Sequence, residues 1–224
     1  MAATKSSASR AQMVHDSLRR DILSGTLQPG SPLRLQALAA KYEVSMSVVR
    51  EALTRLVEHH LVALETNRGF RVVDVSRADL LEISELLKLL AGRALEKSIR
   101  LGDLQWQGQV VSAHHVLEHT PRLDDDGTPT EEWVRAHAEF HDALGSACGS
   151  PRLLDYLRTL MSSSEFYQRL AGTPVADMAE EVIAEDRELM ELATARKTRE
   201  AGALLDKHIQ RSMDWLLEHL FGED

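Results

Sequence analysis

The chain has 224 residues, 43% hydrophobic and 27% charged, enough to bury the cores of two modest domains. Its net charge of −9 excludes indiscriminate nucleic-acid binding, and a lone cysteine, Cys148, excludes an internal disulfide framework and fits a reducing compartment. With no apolar run of about 18 residues and no charged-then-apolar leader, neither a membrane span nor a signal peptide is expected, and a cytoplasmic protein is. The charge is uneven. Residues 1–76 hold 10 Lys/Arg against 7 Asp/Glu, and the remainder 16 against 28. A mildly basic head on an acidic body fits a protein that touches DNA at one end, and the modest attraction of one head makes a dimer gripping two half-sites the economical design.

Met1 to Ser9, rich in Ala and Ser, reads as a disordered leader. Gln12 to Ser24 is an amphipathic helix with Val14, Leu18, Ile22 and Leu23 turned inward; Gly25 ends it and Pro29-Gly30 turns the chain. Leu33 to Leu53 then reads as helix, turn and helix. Leu35, Leu38 and Ala39 share a face, Tyr42-Glu43-Val44 is the turn, and the Ser45 hydroxyl is expected to cap the second helix. There Val49, Ala52, Leu53 and Leu56 recur at helical spacing and face inward. Ser45, Met46, Ser47, Arg50 and Thr54 are left for the other side. Hydroxyls bond phosphates or bases and arginine forks onto guanine, so this face suits a major-groove reader. By spacing alone, a structural helical hairpin fits as well. Leu61 to Glu65 and Phe70 to Asp74 follow as two β-branched-rich runs around Thr66-Asn67-Arg68-Gly69, a turn in which glycine supplies positive φ. A hairpin directly after the second helix is the wing of a winged helix, with Arg68 at its tip aimed at the backbone or minor groove.

Ile22-Leu23-Ser24-Gly25-Thr26-Leu27-Gln28-Pro29-Gly30, Leu38-Ala39, Val44-Ser45, Val49-Arg50-Glu51-Ala52-Leu53 and Asn67-Arg68-Gly69 together resemble the DNA-binding domain of the GntR family of bacterial transcription regulators, over about residues 10–76. The resemblance implies operator contacts from Arg34, Gln36, Ser45, Met46, Ser47, Arg50, Arg68 and Gly69. The family often has arginine where Gln36 stands and Arg-Thr-Pro where Met46-Ser47-Val48 stands. Glutamine suits adenine better than guanine, and methionine offers apolar contact to a thymine methyl, so the operator is expected to differ from the usual one.

Beyond Ser76 the pattern is helical throughout, in segments of about 78–100, 103–119, 130–148, 151–171, 175–195 and 198–221. Gly102, the loop Pro121 to Pro129 with its Asp124-Asp125-Asp126-Gly127 turn, Gly149-Ser150-Pro151 and Gly172-Thr173-Pro174 separate several of them. The expected fold is mainly α. An N-terminal winged helix-turn-helix domain occupies 10–76, and an all-α antiparallel bundle of six to seven helices occupies 77–224.

Four polar residues stand on apolar faces. His137 and His141 lie on the stripe of Trp133, Phe140, Leu144 and Cys148; Asp186 falls among Val182, Leu189, Met190 and Ala193; His208 is flanked by Leu204, Leu205 and Trp215. A buried unpaired carboxylate costs roughly several kcal/mol, so Asp186 needs a partner. A divalent metal, Zn, Ni or Mn, would satisfy one carboxylate and three imidazoles at once. Three other arrangements fit the pattern. Each histidine could bond to backbone, Asp186 could pair with one histidine, or His115 and His119 could be the true ligands; that pair, however, lies off the Trp106, Val110, Ala113, Leu117 stripe.

Phe140-His141 with Ala143-Leu144, and Ser150-Pro151-Arg152-Leu153, resemble the FCD ligand-binding domain of the FadR-type branch of GntR regulators, over about residues 78–221. Many FCD domains hold a metal through an Asp, a His four residues on, a His on a later helix and a final His 22 residues beyond. Those positions here are His137, His141, Asp186 and His208, with the last interval 22. Two ligands are exchanged, while the inventory of one carboxylate and three imidazoles survives. The resemblance implies a homodimer on double-stranded operator DNA, controlled by a small carboxylate effector on the metal. Lys88, which shares a helical face with Leu81, Ser84, Ala91, Leu95 and Ile99 and is expected to point into the cavity, is the candidate second anchor for that acid. Lys88 could equally snorkel to water. A regulator answering to the ion itself is the alternative. A metallohydrolase fused to a DNA-binding head is the third reading, and Glu139 and Glu185 offer it no evident general base; no enzyme is expected.

Overall fold

The computed structural model describes residues 2–125, 127–171 and 179–222, which divide into two compact units. The first unit comprises residues 1–79 with 161–170, and the second 80–160 with 171–224.

In the first unit, helices α1 (Ala2–Leu23), α2 (Leu35–Lys41) and α3 (Met46–Glu58) surround one apolar core with a small sheet. Val14, Leu18 and Ile22 of α1 are fully buried, as are Val49, Ala52, Leu53 and Leu56 of α3. These are the inward positions that the spacing demanded. Helix α1 starts at Ala2 rather than Gln12 and so takes in the segment read as a leader. The sheet has strands β1 (Pro32–Leu33), β2 (Val62–Glu65) and β3 (Gly69–Val72) in the antiparallel order β1-β3-β2. Leu33 lies opposite Phe70 and Val62 opposite Val72, and all four side chains turn into the core. Strand β1 was not anticipated: two residues carry no period, and proline is tolerated there only because β1 is an edge. Asn67 (φ 64°) and Gly69 (φ 80°) both take left-handed backbone at the β2–β3 turn. Arg71 fastens the wing, donating to the Gly30 carbonyl at 2.6 Å and to Glu65 at 3.1 Å. Residues 161–170 complete this unit. Phe166 enters its core, Glu165 pairs with Arg19, and the Tyr167 hydroxyl donates to Asp79 at 2.6 Å while accepting from the Ser76 amide at 3.2 Å.

The second unit is helical. It is built from α4 (Arg77–Leu101), α5 (Leu104–His119), α6 (Glu131–Gly145), α7 (Pro151–Ala171), α8 (Ala179–Thr194) and α9 (Thr198–Phe221), whose ends fall in the adjacent unit for α4 and α7. Helix α5 packs on α6 and α8, and α8 on α9. Caps set the starts: Asp103 accepts from the Trp106 amide at 2.9 Å, and Thr130 from the Trp133 amide at 3.1 Å, with Glu131 and Glu132 favoured beside the helix N-terminus. Helix α6 stops at Gly145, short of Cys148, because Ser146 and Cys148 form a tight turn back to Ala143 and Gly145. The cysteine is fully buried. Gly127 (φ 77°) closes the 124–128 turn, while Asp126 and the Gly172-Thr173-Pro174 break, with the first residues expected of α8, lie outside the described residues.

Two side chains tie elements of the bundle together. Trp106 donates its indole N–H to the Ala143 carbonyl at 3.0 Å, tying α5 to α6. Arg196, itself left-handed at φ 59°, donates to the carbonyls of Ile99 and Gly102, the latter at 2.6 Å. A Cβ at Gly102 would collide with the Trp106 ring and come within 2.7 Å of the Ser98 carbonyl. Gly102→Ala is therefore expected to destabilise the fold by about 1–3 kcal/mol through overpacking, read as a lower urea midpoint; an unchanged midpoint would show that the Trp106 contact is soft.

Candidate functional site

Helix α6 carries His137 and His141 one turn apart, so both rings leave the same face. Helix α8 supplies Asp186 and α9 supplies His208. One ligand-type atom from each of the four lies within 4.8 Å of the others. The Nε2 atoms of His137 and His141 are 3.1 Å apart, and they stand 3.4 and 3.6 Å from the two oxygens of Asp186. Trp133 stacks on the His137 ring at 4.9 Å, which fixes its plane. Asp186 is 1% exposed, and among the described residues neither of its oxygens accepts a hydrogen bond.

The electrostatics agree with the geometry. Burial pushes the His141 imidazole down to about 3, helped by His137 and only partly opposed by Asp186. Burial lowers His208 as well. For Asp186 burial acts the other way, but the surrounding imidazoles outweigh it and hold the carboxyl down at about 2. An ionised Asp186 beside lone pairs kept free on His141 and His208 is the protonation state that metal binding requires. His115 and His119 are exposed and, with Glu118, form a separate surface cluster; Glu118 is engaged by Arg187.

Two residues escaped the sequence reading. His114, not Ala113, occupies the buried stripe of α5; it lies edge-on to Phe140 at 5.4 Å, and burial lowers its pKa. The interval from Val110 to His114 to Leu117 is helical, so the signal was present. Glu185 is also buried and meets His208 Nδ1 at 3.1 Å. Lys88 donates to Gln210 of α9. Of its expected face, Ser84, Leu95 and Ile99 are buried but Leu81 is 48% exposed, because the buried stripe of α4 passes through Leu80, Ile83 and Leu87 at that end. Lys88 thus lies at the stripe's margin.

In the first unit, Arg34, Gln36, Ser45, Met46, Ser47, Arg50, Arg68 and Gly69 are all exposed. Met46, Ser47, Arg50 and Thr54 of α3 line one shallow depression with Leu35 of α2. Ser45 makes no side-chain cap; its hydroxyl bonds Ser47 at 2.8 Å instead. Arg50 lies over the Phe70 ring at 6.0 Å, and neither it nor Arg34 has a carboxylate partner among the described residues. Arg55, by contrast, is held by Glu51 and Gln12.

Comparison with known proteins decides the family. Residues 10–72 match the bacterial regulatory proteins of the gntR family, and residues 82–211 match the FCD domain. The chain belongs to the GntR family.

Relatives of this GntR chain bear the same stamp. It is 36% identical to the HTH-type transcriptional regulator BphR of Paraburkholderia xenovorans, over 88% of this chain and 80% of that protein. It is 29% identical to the HTH-type transcriptional repressor GlaR of Escherichia coli, over 86% and 89%. A transcriptional-regulator structure from Rhodococcus sp. RHA1 superposes with a TM-score of 0.73 at 25% identity, covering 93% of this chain and 98% of that one. The GntR chain is thus a transcriptional regulator of the FCD type and not an enzyme. Among the described residues no helix is long and apolar enough to cross a membrane.

The depressed pKa values carry a pH signature. Between the ordinary imidazole value of 6.5 and about 3, the unfolded chain binds more protons at His141 than the folded one. Stability of the metal-free GntR protein is therefore expected to be full above the ordinary value and to fall as pH drops through this window. Urea midpoints measured from neutral pH downward check this. A His141→Gln variant is expected to give a shallower slope, and a flat profile in both proteins would contradict the neutral imidazole.

Proposed function

We propose that this regulator binds operator DNA as a homodimer, and that a small organic acid seated on a divalent metal in the FCD domain sets its operator affinity. The observation that carries the reading is the Asp186 carboxylate, 1% exposed, without a hydrogen-bond donor among the described residues and facing three imidazoles. A dication satisfies both oxygens and the facing lone pairs together, and no single protonated histidine does. His137, His141, Asp186 and His208 would hold it. Three nitrogens and one oxygen close a tetrahedral zinc site, or leave open positions on an octahedral nickel or manganese ion where a carboxylate would bind. Lys88, at the margin of the α4 stripe, is the proposed second anchor for that acid.

The DNA-binding half rests on the exposed Arg34 and Arg50, neither with a carboxylate partner among the described residues, and on the uncapped N-terminus of α3. First-turn amides without a side-chain acceptor suit a phosphate, and Arg50, with no carboxylate partner, is available for guanine. Gln36 and Met46 would favour adenine and thymine contacts, and Arg68 with Gly69 would take the wing to the backbone.

Metal analysis of purified protein is expected to return close to one divalent ion per chain, lost in Asp186→Ala. Absence of metal from the wild-type protein, even after incubation with Zn²⁺, Ni²⁺ or Mn²⁺, would overturn the reading. On DNA selected by the wild-type protein from a random pool, Arg50→Ala is expected to weaken binding by about 1–3 kcal/mol, the worth of one good base contact. A panel of small carboxylic acids should contain one that shifts operator affinity of the metal-loaded protein by roughly 5- to 150-fold. Metal alone producing that shift would make the ion the signal.

A further inference from the structure

Glu185 is the neighbour of Asp186 on α8, yet it faces a different set of groups. Its side chain is 8% exposed, and its charged partners among the described residues come from one stretch of α9. His208 Nδ1 lies 3.1 Å from Oε2, Lys207 Nζ lies 3.5 Å from Oε1, and Arg211 is ion-paired to Oε2. A carboxylate flanked by two permanent cations is ionised and has only lone pairs to offer. The imidazole must therefore be the donor in the His208 contact. A neutral imidazole has one N–H, so a proton held at Nδ1 leaves the Nε2 lone pair free on the opposite side of the ring.

We infer that Glu185 is a positioning residue for the metal centre, fixing the tautomer and ring orientation of His208 so that Nε2 is the atom presented to the ion. The inference rests on the metal reading above and adds to it a fifth residue that touches no metal. The arrangement is a carboxylate–histidine–metal chain, in which the outer carboxylate also makes the imidazole a better donor. Lys207 and Arg211, two cations against one carboxylate, more than offset the Glu185 charge.

Titration of metal-free protein with Zn²⁺ against a competing chromophoric chelator tests the inference. Glu185→Ala is expected to weaken zinc binding by about 10- to 100-fold. Glu185→Gln retains an oxygen that accepts from Nδ1 and is expected to recover most of that loss. In ¹⁵N spectra of zinc-loaded wild-type protein, His208 should be protonated at Nδ1 and coordinated through Nε2, and this fixed state should be lost in Glu185→Ala. If Glu185→Ala, folded by circular dichroism, holds zinc as tightly as wild type, the inference is overturned. Coordination of His208 through Nδ1 in the wild-type protein overturns it too, as does a Glu185→Gln variant as weak as Glu185→Ala. If wild-type protein binds no zinc, nickel or manganese, the metal reading itself falls, an outcome distinct from the others.

Discussion

The second unit of this regulator depends on one uncompensated charge. Asp186 is placed among Val182, Leu189 and Ala193, where an ionised carboxylate without a counter-charge costs roughly several kcal/mol. A helix face accepts that cost only if the groups opposite return it. Here they are imidazoles from two other helices, of which His141 and His208 are pressed toward the neutral form by burial. Everything that locates α6, α8 and α9 relative to one another therefore acts on the cluster: the Thr130 cap, the Trp106 indole on the Ala143 carbonyl, and the Glu185 cross-link to α9.

The first unit follows a different economy. It packs around an apolar cluster, and the polar residues of its second helix-turn-helix helix are left outside. Helix α3 is the clearest case, since Val48, Val49, Ala52, Leu53 and Leu56 turn inward while Met46, Ser47, Arg50 and Thr54 stay exposed. Arg71 fastens the wing, reaching both the loop before β1 and the strand beside it. Residues 161–170 seal the same core through Phe166 and bind the chain near Ser76 and Asp79 through Tyr167. These contacts join segments about ninety residues apart in the chain, which no local pattern announces.

Much of the candidate site was legible because the polar residues violated a strong rule. His137, His141, Asp186 and His208 sit on faces whose other members are apolar, and a helix face is a short-range property readable from spacing. The same rule set His115 and His119 aside as solvated surface, and both are exposed. It missed His114 because Ala113 is also apolar and one residue shifts the stripe by only a fraction of a turn. Glu185 was passed over as a mere neighbour of Asp186. Its partners come from another helix, and adjacency along a helix says nothing of which helix a side chain will meet.

By itself the sequence determined the element types, the inward faces, the winged head and the four unusual polar positions, because all of these follow from periodicity, turn chemistry and a dense family motif. Tertiary structure alone decided that the four positions meet, that Ser45 bonds Ser47 instead of capping α3, that Pro32–Leu33 pairs with β3, and that Glu185 reaches His208. Periodicity fixes the direction of a side chain about its own helix axis; which atoms it then faces depends on the rotation and register of a neighbouring helix, and that is set by the packing of the whole unit.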